Sequence, residues 1–197
     1  MLAIPPKRSD KRIVTFLTAA EVDALLAAPD QSRWEGRRDR ALMLLAIQAG
    51  LRVSELTSLN CGDVTLGTGA SVRCEGKGRK HRAVPLTGAT ETLLRLWLRE
   101  RAGQPSDPLF PTRTGRRLSR DAVALRISTH ATTAARHCPS LPGKRIHPHV
   151  LRHSCVICSA SGPMRPYEGR LFGSVTRPCL TDIRYLLWHV SYVLSCD

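Results

Sequence analysis

The chain has 197 residues, 30 Lys and Arg against 16 Asp and Glu, a net charge of +14 and a pI near 10.4. That is length enough for one domain with a real core, and the charge asks for a polyanionic partner; clustered, arginine-rich bases make nucleic acid the best fit. A hydrophobic share of 42% excludes a ribosomal or chromatin tail, and no apolar run approaches the ~20 residues that cross a bilayer.

Residues 1–12 are polar, carry Pro5 and Pro6, and read as a leader or linker without the apolar run of a signal peptide. Thr18 and Glu21 form a capping-box pattern before Val22, Leu25 and Leu26, which predicts a helix from Thr18 to near Pro29. Ala41, Leu44, Leu45 and Gln48 give helical spacing over 37–49, ended by Gly50, and a short helix follows from Val53 to Ser58. The period then changes. Residues 63–66, 71–74 and 82–85 read as short strands separated by glycines, a small antiparallel sheet inside a helical domain.

Leu93, Leu94, Leu96, Trp97 and Leu98 return the chain to helix over 89–101. Thr114 and Gly115 mark a turn, and Ser119 caps a helix through Val123, Leu125 and Ile127. A further helix is expected from His147 to Ile157. Near residue 158 the character changes: residues 158–197 carry four Arg and three acids, so +1 of the total +14. This tail opens on Ser159, Gly162 and Pro163 and ends with Leu180, Ile183, Leu187, Val190 and Leu194 on one helical face, expected to be a packing helix. Seven cysteines, an odd number without a small-scaffold framework, read as reduced thiols in a cytoplasmic protein.

Three strings carry chemistry: GLRVSEL at 50–56, GKGRKHRAVPL at 76–86 and HPHVLRH at 147–153. Breaking a DNA phosphodiester without a metal requires a clamp on the non-bridging oxygens, an aligned nucleophile and a proton for the leaving 5′-oxygen. Guanidinium groups suit the clamp because they are planar, permanently charged and bidentate. Arg52 follows a long apolar run, and Glu55 stands one helical turn on; the plain alternative is a simple ion pair at a helix start. Arg73, Lys77, Arg79, Lys80 and Arg82 surround a glycine-punctuated turn, opposed within 73–82 by Glu75 alone. An ordinary solvated β-turn explains such a run, and a flexible tip reaching into a DNA groove explains it as well. The spacing is not that of a P-loop.

His149 and Arg152 lie one turn apart on one helix face, where an imidazole can relay a proton near neutral pH. His130 and His137 are expected to be ordinary structural histidines. A zinc site from His149, His153 and Cys155 or Cys158 is the competing reading of the third string, against which stands the missing second ligand pair.

Taken together and in this order, the strings resemble the catalytic domain of the tyrosine recombinases, the phage-integrase family, over roughly residues 13–157. LTAAEVDALLAAP at 17–29 and LFPTRTGRRLSRDAV at 109–123 resemble its opening helix and middle segment. The resemblance implies an α+β, mainly α, domain with a small three-stranded antiparallel sheet. It implies a site-specific recombinase or integrase of a mobile element, acting on double-stranded DNA through a phosphotyrosyl link and able to assemble as a homo-oligomer on that DNA. By the same likeness Arg52 and Arg152 are the clamp, Lys77 the general acid and His149 the relay. Glu55 and His153 are supporting residues, and Arg79, Lys80 and Arg82 are DNA contacts. No cofactor, metal, membrane or small-molecule substrate is implied.

The sequence departs from the family in its ending. The string LGHxxxxTTxxYxH does not follow Arg152, and Tyr185 is the tyrosine at about the usual distance, with Thr176 where His or Trp is expected. The expectation is a truncated or frame-shifted ending over 158–197, which leaves the nucleophile misplaced and recombination negligible. The alternative function is a catalytically inactive DNA-binding remnant. A generic basic RNA-binding protein fits the ordered strings less well.

Overall fold

The computed structural model describes residues 16–76 and 81–160, with side chains as far as Cys155. The elements run α1 (Ala19–Ala27), α2 (Trp34–Ala49), α3 (Val53–Ser58), β1 (Val64–Thr65), β2 (Ser71–Glu75), β3 (His81–Pro85), α4 (Gly88–Arg101), α5 (Arg120–Ala134) and α6 (Pro148–Ala160). A single 3₁₀ turn, Cys61–Asp63, leads into β1. The sheet order is β1-β2-β3, antiparallel throughout, with Val72 opposite both Val64 and Val84. This is the mainly helical architecture with a small sheet that the sequence predicts.

Local chemistry sets most boundaries. At α1 the Thr18 hydroxyl accepts from the Glu21 N–H at 3.4 Å, and the Glu21 carboxylate accepts from the Thr18 N–H at 2.8 Å. Glu21 is fully buried, and Lys144 reaches it at 2.7 Å. Burial pushes the Glu21 carboxyl up, and the Lys144 and Thr18 hydrogen bonds together outweigh it and hold the group below its ordinary range. Thr87 and Ser119 cap α4 and α5 through their hydroxyls. The second helix starts at Trp34, three residues before the sequence pattern suggests. Its first turn packs closely: a Cβ on Gly36 would lie 1.9 Å from the Asp30 carbonyl oxygen, so only glycine admits that approach.

The apolar faces of α1, α2, α4, α5 and α6 meet in one core containing Val22, Leu25, Met43, Leu45, Ile47, Leu94, Ile127 and Leu151. Trp34 meets Trp97 at a tilt, with ring centres 5.2 Å apart, and Trp97 stacks on Phe110 at 6.5 Å. Trp97 donates its ring N–H to the Leu109 carbonyl at 2.9 Å, which ties the 109–118 segment to α4. Arg117 donates to the Ser58 carbonyl at 2.7 Å and to Asn60 at 2.6 Å, closing the C-terminal end of α3. The fold's two ends meet at Ser154, whose hydroxyl accepts from the Leu17 N–H and donates to the Val150 carbonyl, both at 2.8 Å.

Among the described residues no helix is long and apolar enough to cross a membrane. Cys61, Cys74 and Cys138 are buried free thiols, and Cys155 is buried beside the Gln48 carbonyl. The expectations for the leader, the tail over 158–197, its apolar stretch and Tyr185 lie outside the described residues.

Candidate phosphate-binding site

The long helix α2 ends where Gly50 takes a left-handed conformation, φ 56°. A side chain there would be strained, and a Cβ would sit 3.4 Å from the Cys155 sulfur. This turn does two things. It throws Arg52 to the position just before α3, and it leaves the Gly50 carbonyl open at the end of α2. Arg152 of α6 fills that opening, donating Nη1 to the Gly50 carbonyl at 2.8 Å. Next to it the Cys155 thiol lies 3.3 Å from the Gln48 carbonyl. Two arginines separated by 100 residues are thereby fixed to one helix end.

Glu55 is the anionic centre of the site and is only 4% exposed. Its Oε2 accepts from the Arg52 N–H and from Arg82 Nη2, both at 2.8 Å, while Oε1 accepts from Arg52 Nη1 at 3.2 Å. The Arg52 side chain remains 37% exposed. Burial first, then the nearby Arg52 charge, lowers the pKa of Arg152; the opposing pull of Glu55 is smaller. Arginine stays protonated regardless. Three guanidinium groups thus gather near one carboxylate, an excess of positive charge at one end of α2.

His149 and His153 flank Arg152 on α6 and are exposed. His147 meets His149 edge-on, with ring centres 6.0 Å apart. Partial desolvation first, then the charges of His149, His153 and Arg145, pushes the His147 pKa down. Arg52, Glu55, Arg82 and Arg152 therefore converge, with the histidines beside them on α6. Lys77, Arg79 and Lys80 lie in the connection between β2 and β3, outside the described residues.

The placement of Arg82 differs from that of a plain DNA contact. Its side chain is 15% exposed, and besides Glu55 it donates Nε to the Cys74 sulfur at 3.1 Å. The strand alternation carries the signal for this: Arg82 shares the inward face with Val84 and stands opposite Cys74 in register. Sequence reasoning also missed Gly50 as the seat of Arg152, since a backbone carbonyl leaves no residue-type signature.

A second polar cluster escaped the sequence reading. Asp39, 3% exposed, accepts from Arg38 Nη2 at 2.7 Å and from Arg126 at 3.2 Å, and the His130 ring lies 2.9 Å from it. Arg38 is fully buried, lies over the Trp34 ring and donates to the Pro111 carbonyl at 2.7 Å. His130 is thus part of the structural framework, as its reading in the sequence anticipates.

The fold, a helical domain with a three-stranded sheet, is that of tyrosine recombinase catalytic domains. The phage integrase family pattern matches residues 15–157, and the chain belongs to that family. It is 49% identical over 154 residues to integrase/recombinase y4rC of Sinorhizobium fredii, a match covering 78% of this chain and 46% of that protein. It is 41% identical over 149 residues to tyrosine recombinase XerD of Pseudomonas aeruginosa, covering 73% and 48%. Among solved structures, the XerH site-specific recombinase bound to its palindromic difH substrate in a post-cleavage complex superposes with a TM-score of 0.64 at 27% identity, over 78% of this chain and 45% of that one. The chain spans about half the length of the curated relatives it matches.

Proposed function

We propose that this chain supplies the strand-cleavage centre of a site-specific DNA recombinase or integrase, acting on double-stranded DNA through a phosphotyrosyl intermediate. The observation that carries the reading is the convergence of Arg52 and Arg152 on one end of α2, around a single carboxylate. In this reading the catalytic unit is residues 13–157, with 158–197 a separate tail. Arg52 and Arg152 grip the non-bridging oxygens of one phosphate, where the added negative charge also relieves their mutual repulsion. His149, one turn before Arg152, relays the nucleophile's proton. Lys77, carried by the β2–β3 connection, protonates the leaving 5′-oxygen, and Arg79 and Lys80 hold neighbouring phosphates. Glu55 and His153 orient the clamp. The chemistry asks for no metal or cofactor, and more than one copy meets on the DNA.

The attacking group must stand about 3–3.5 Å from the phosphorus and in line with the leaving oxygen. Tyr185 is the tyrosine at the family's usual spacing. Binding comes first: affinity for duplex DNA should fall by ~10³ or more between 50 and 200 mM salt if six or more phosphates are held. Salt-independent binding sinks the reading. A nicked suicide duplex then tests chemistry. A covalent adduct that disappears in Tyr185→Phe identifies that residue as the nucleophile. DNA binding with no adduct leaves a phosphate clamp without an attacking group in this chain.

A further inference from the structure

We infer that Arg82 is a positioning residue for the phosphate clamp, acting through Glu55 to keep the Arg52 guanidinium available to DNA; this rests on the clamp reading above. Glu55 has two oxygens and three donors. Oε2 is shared between Arg82 and the Arg52 N–H, which leaves the Arg52 side chain one longer contact, 3.2 Å, to Oε1. A carboxylate released from Arg82 forms the bidentate fork that guanidinium groups favour. Arg52, already bonded to Oε1, is the guanidinium best placed to take it. Such a fork neutralises Arg52 and turns its donors inward, away from a phosphate. Arg82 prevents this by sharing the Glu55 charge.

Arg82 is itself held in two directions, by Glu55 and by the Cys74 sulfur across the β2–β3 pair. Its 15% exposure leaves little surface for a phosphate of its own. It also stands on the strand that follows the connection bearing Lys77. The Arg82–Glu55 bond therefore sets the hairpin against the clamp, joining the segment expected to donate the proton to the groups expected to hold the phosphate.

The test uses the full chain and a double-stranded oligonucleotide, with the salt slope of binding as the readout, since each phosphate contact contributes about 0.9 to that slope. Arg52→Ala should lower the slope by about 1. Arg82→Gln should lower it comparably, and the Arg52→Ala, Arg82→Gln pair should fall no further than Arg52→Ala alone. The Glu55→Gln, Arg82→Gln pair removes both the captured charge and its restraint, and its slope should recover above that of Arg82→Gln alone. A purely structural role for Arg82 predicts no such recovery. Additive losses in the first pair would make Arg82 a direct phosphate contact and overturn the inference. So would an unaltered slope in Arg82→Gln, or a slope in the Glu55→Gln pair no higher than in Arg82→Gln. If Arg82→Gln does not fold, as circular dichroism would reveal, the charge-balanced Glu55→Gln pair decides by comparison with Arg52→Ala: a higher slope supports the inference and an equal one overturns it. An unaltered slope in Arg52→Ala, by contrast, removes the clamp reading beneath this one.

Discussion

Two clusters in this molecule have the same ingredients and opposite fates. At Asp39 a carboxylate meets Arg38 and Arg126; at Glu55 a carboxylate meets Arg52 and Arg82. Both carboxylate side chains are 4% exposed. Each cluster has one arginine about a third exposed, Arg126 at 36% and Arg52 at 37%; the difference is in the other arginine and in what stands beside it. Arg38 is sealed, with its donors committed to Asp39 and the Pro111 carbonyl and its face against Trp34. Arg82 instead keeps 15% exposure, and Arg152 adds a third guanidinium near Glu55 where Asp39 has His130. The Arg38–Asp39 pair, bonded on every side, holds structure together, whereas the Glu55 cluster gathers more guanidinium charge than its carboxylate balances. Burying the first pair has a desolvation cost that only complete bonding offsets.

The sharpest way to break this contrast is Asp39→Ala, which strands Arg38 in the core. Stability should fall by about 3–5 kcal/mol, measured by urea unfolding. A loss under about 1 kcal/mol would mean that Arg38 escapes to water and that the cluster is no keystone. Next comes Gly50→Ala, which imposes a Cβ on the left-handed turn. The cost should be about 1–2 kcal/mol, and DNA affinity should drop beyond what stability explains, because the Arg152 seat shifts with the turn. Normal DNA binding in a folded Gly50→Ala protein would show that Arg152 does not depend on that carbonyl.

Acid provides a milder probe. Burial pushes the Asp39 carboxyl up, and the His130 hydrogen bond followed by the Arg38 charge outweighs it, so the folded group lies below its ordinary range. A depressed carboxylate contributes stability that is present above the unfolded value near ~3.9 and is lost as pH falls through the folded one. Unfolding midpoints should therefore drop below about pH 4, and the drop should be shallower in Asp39→Asn. Equal acid limbs would assign the loss to other carboxylates. The smallest effect is expected at Arg52→Ala: under about 1 kcal/mol of stability, since the guanidinium is partly exposed, alongside the reduced salt slope. A large stability loss there would erase the distinction between the two clusters.

The sequence carried this architecture well wherever the signal was periodic or local. The Thr18–Glu21 cap, the ends of α3 and the three strands all stand where spacing and glycines put them, because each depends on neighbours within a few residues. Arg52 and Arg152 could be picked out because each sits in a short string of recognisable residue types. What remained hidden was tertiary. The Arg82–Glu55 bond joins residues 27 apart, and the Asp39 cluster joins α2 to α5 across 91. Arg38 and Asp39 carry no such signal within a helix start rich in arginine; Trp34 and the Pro111 carbonyl, brought in by the fold, make a place for them inside.

The bond from Arg152 to the Gly50 carbonyl also has a meaning in time. It spans 102 residues, and the neighbouring Ser154–Leu17 bond spans 137. Closing such loops costs chain entropy that grows slowly with length, and non-local contacts of this kind slow folding. A nascent chain that has made α2 and α3 carries Arg52 and Glu55 but no second guanidinium. The clamp comes into being only when α6 docks, so a half-made or partly unfolded chain holds an ordinary surface ion pair and has no special grip on a phosphate.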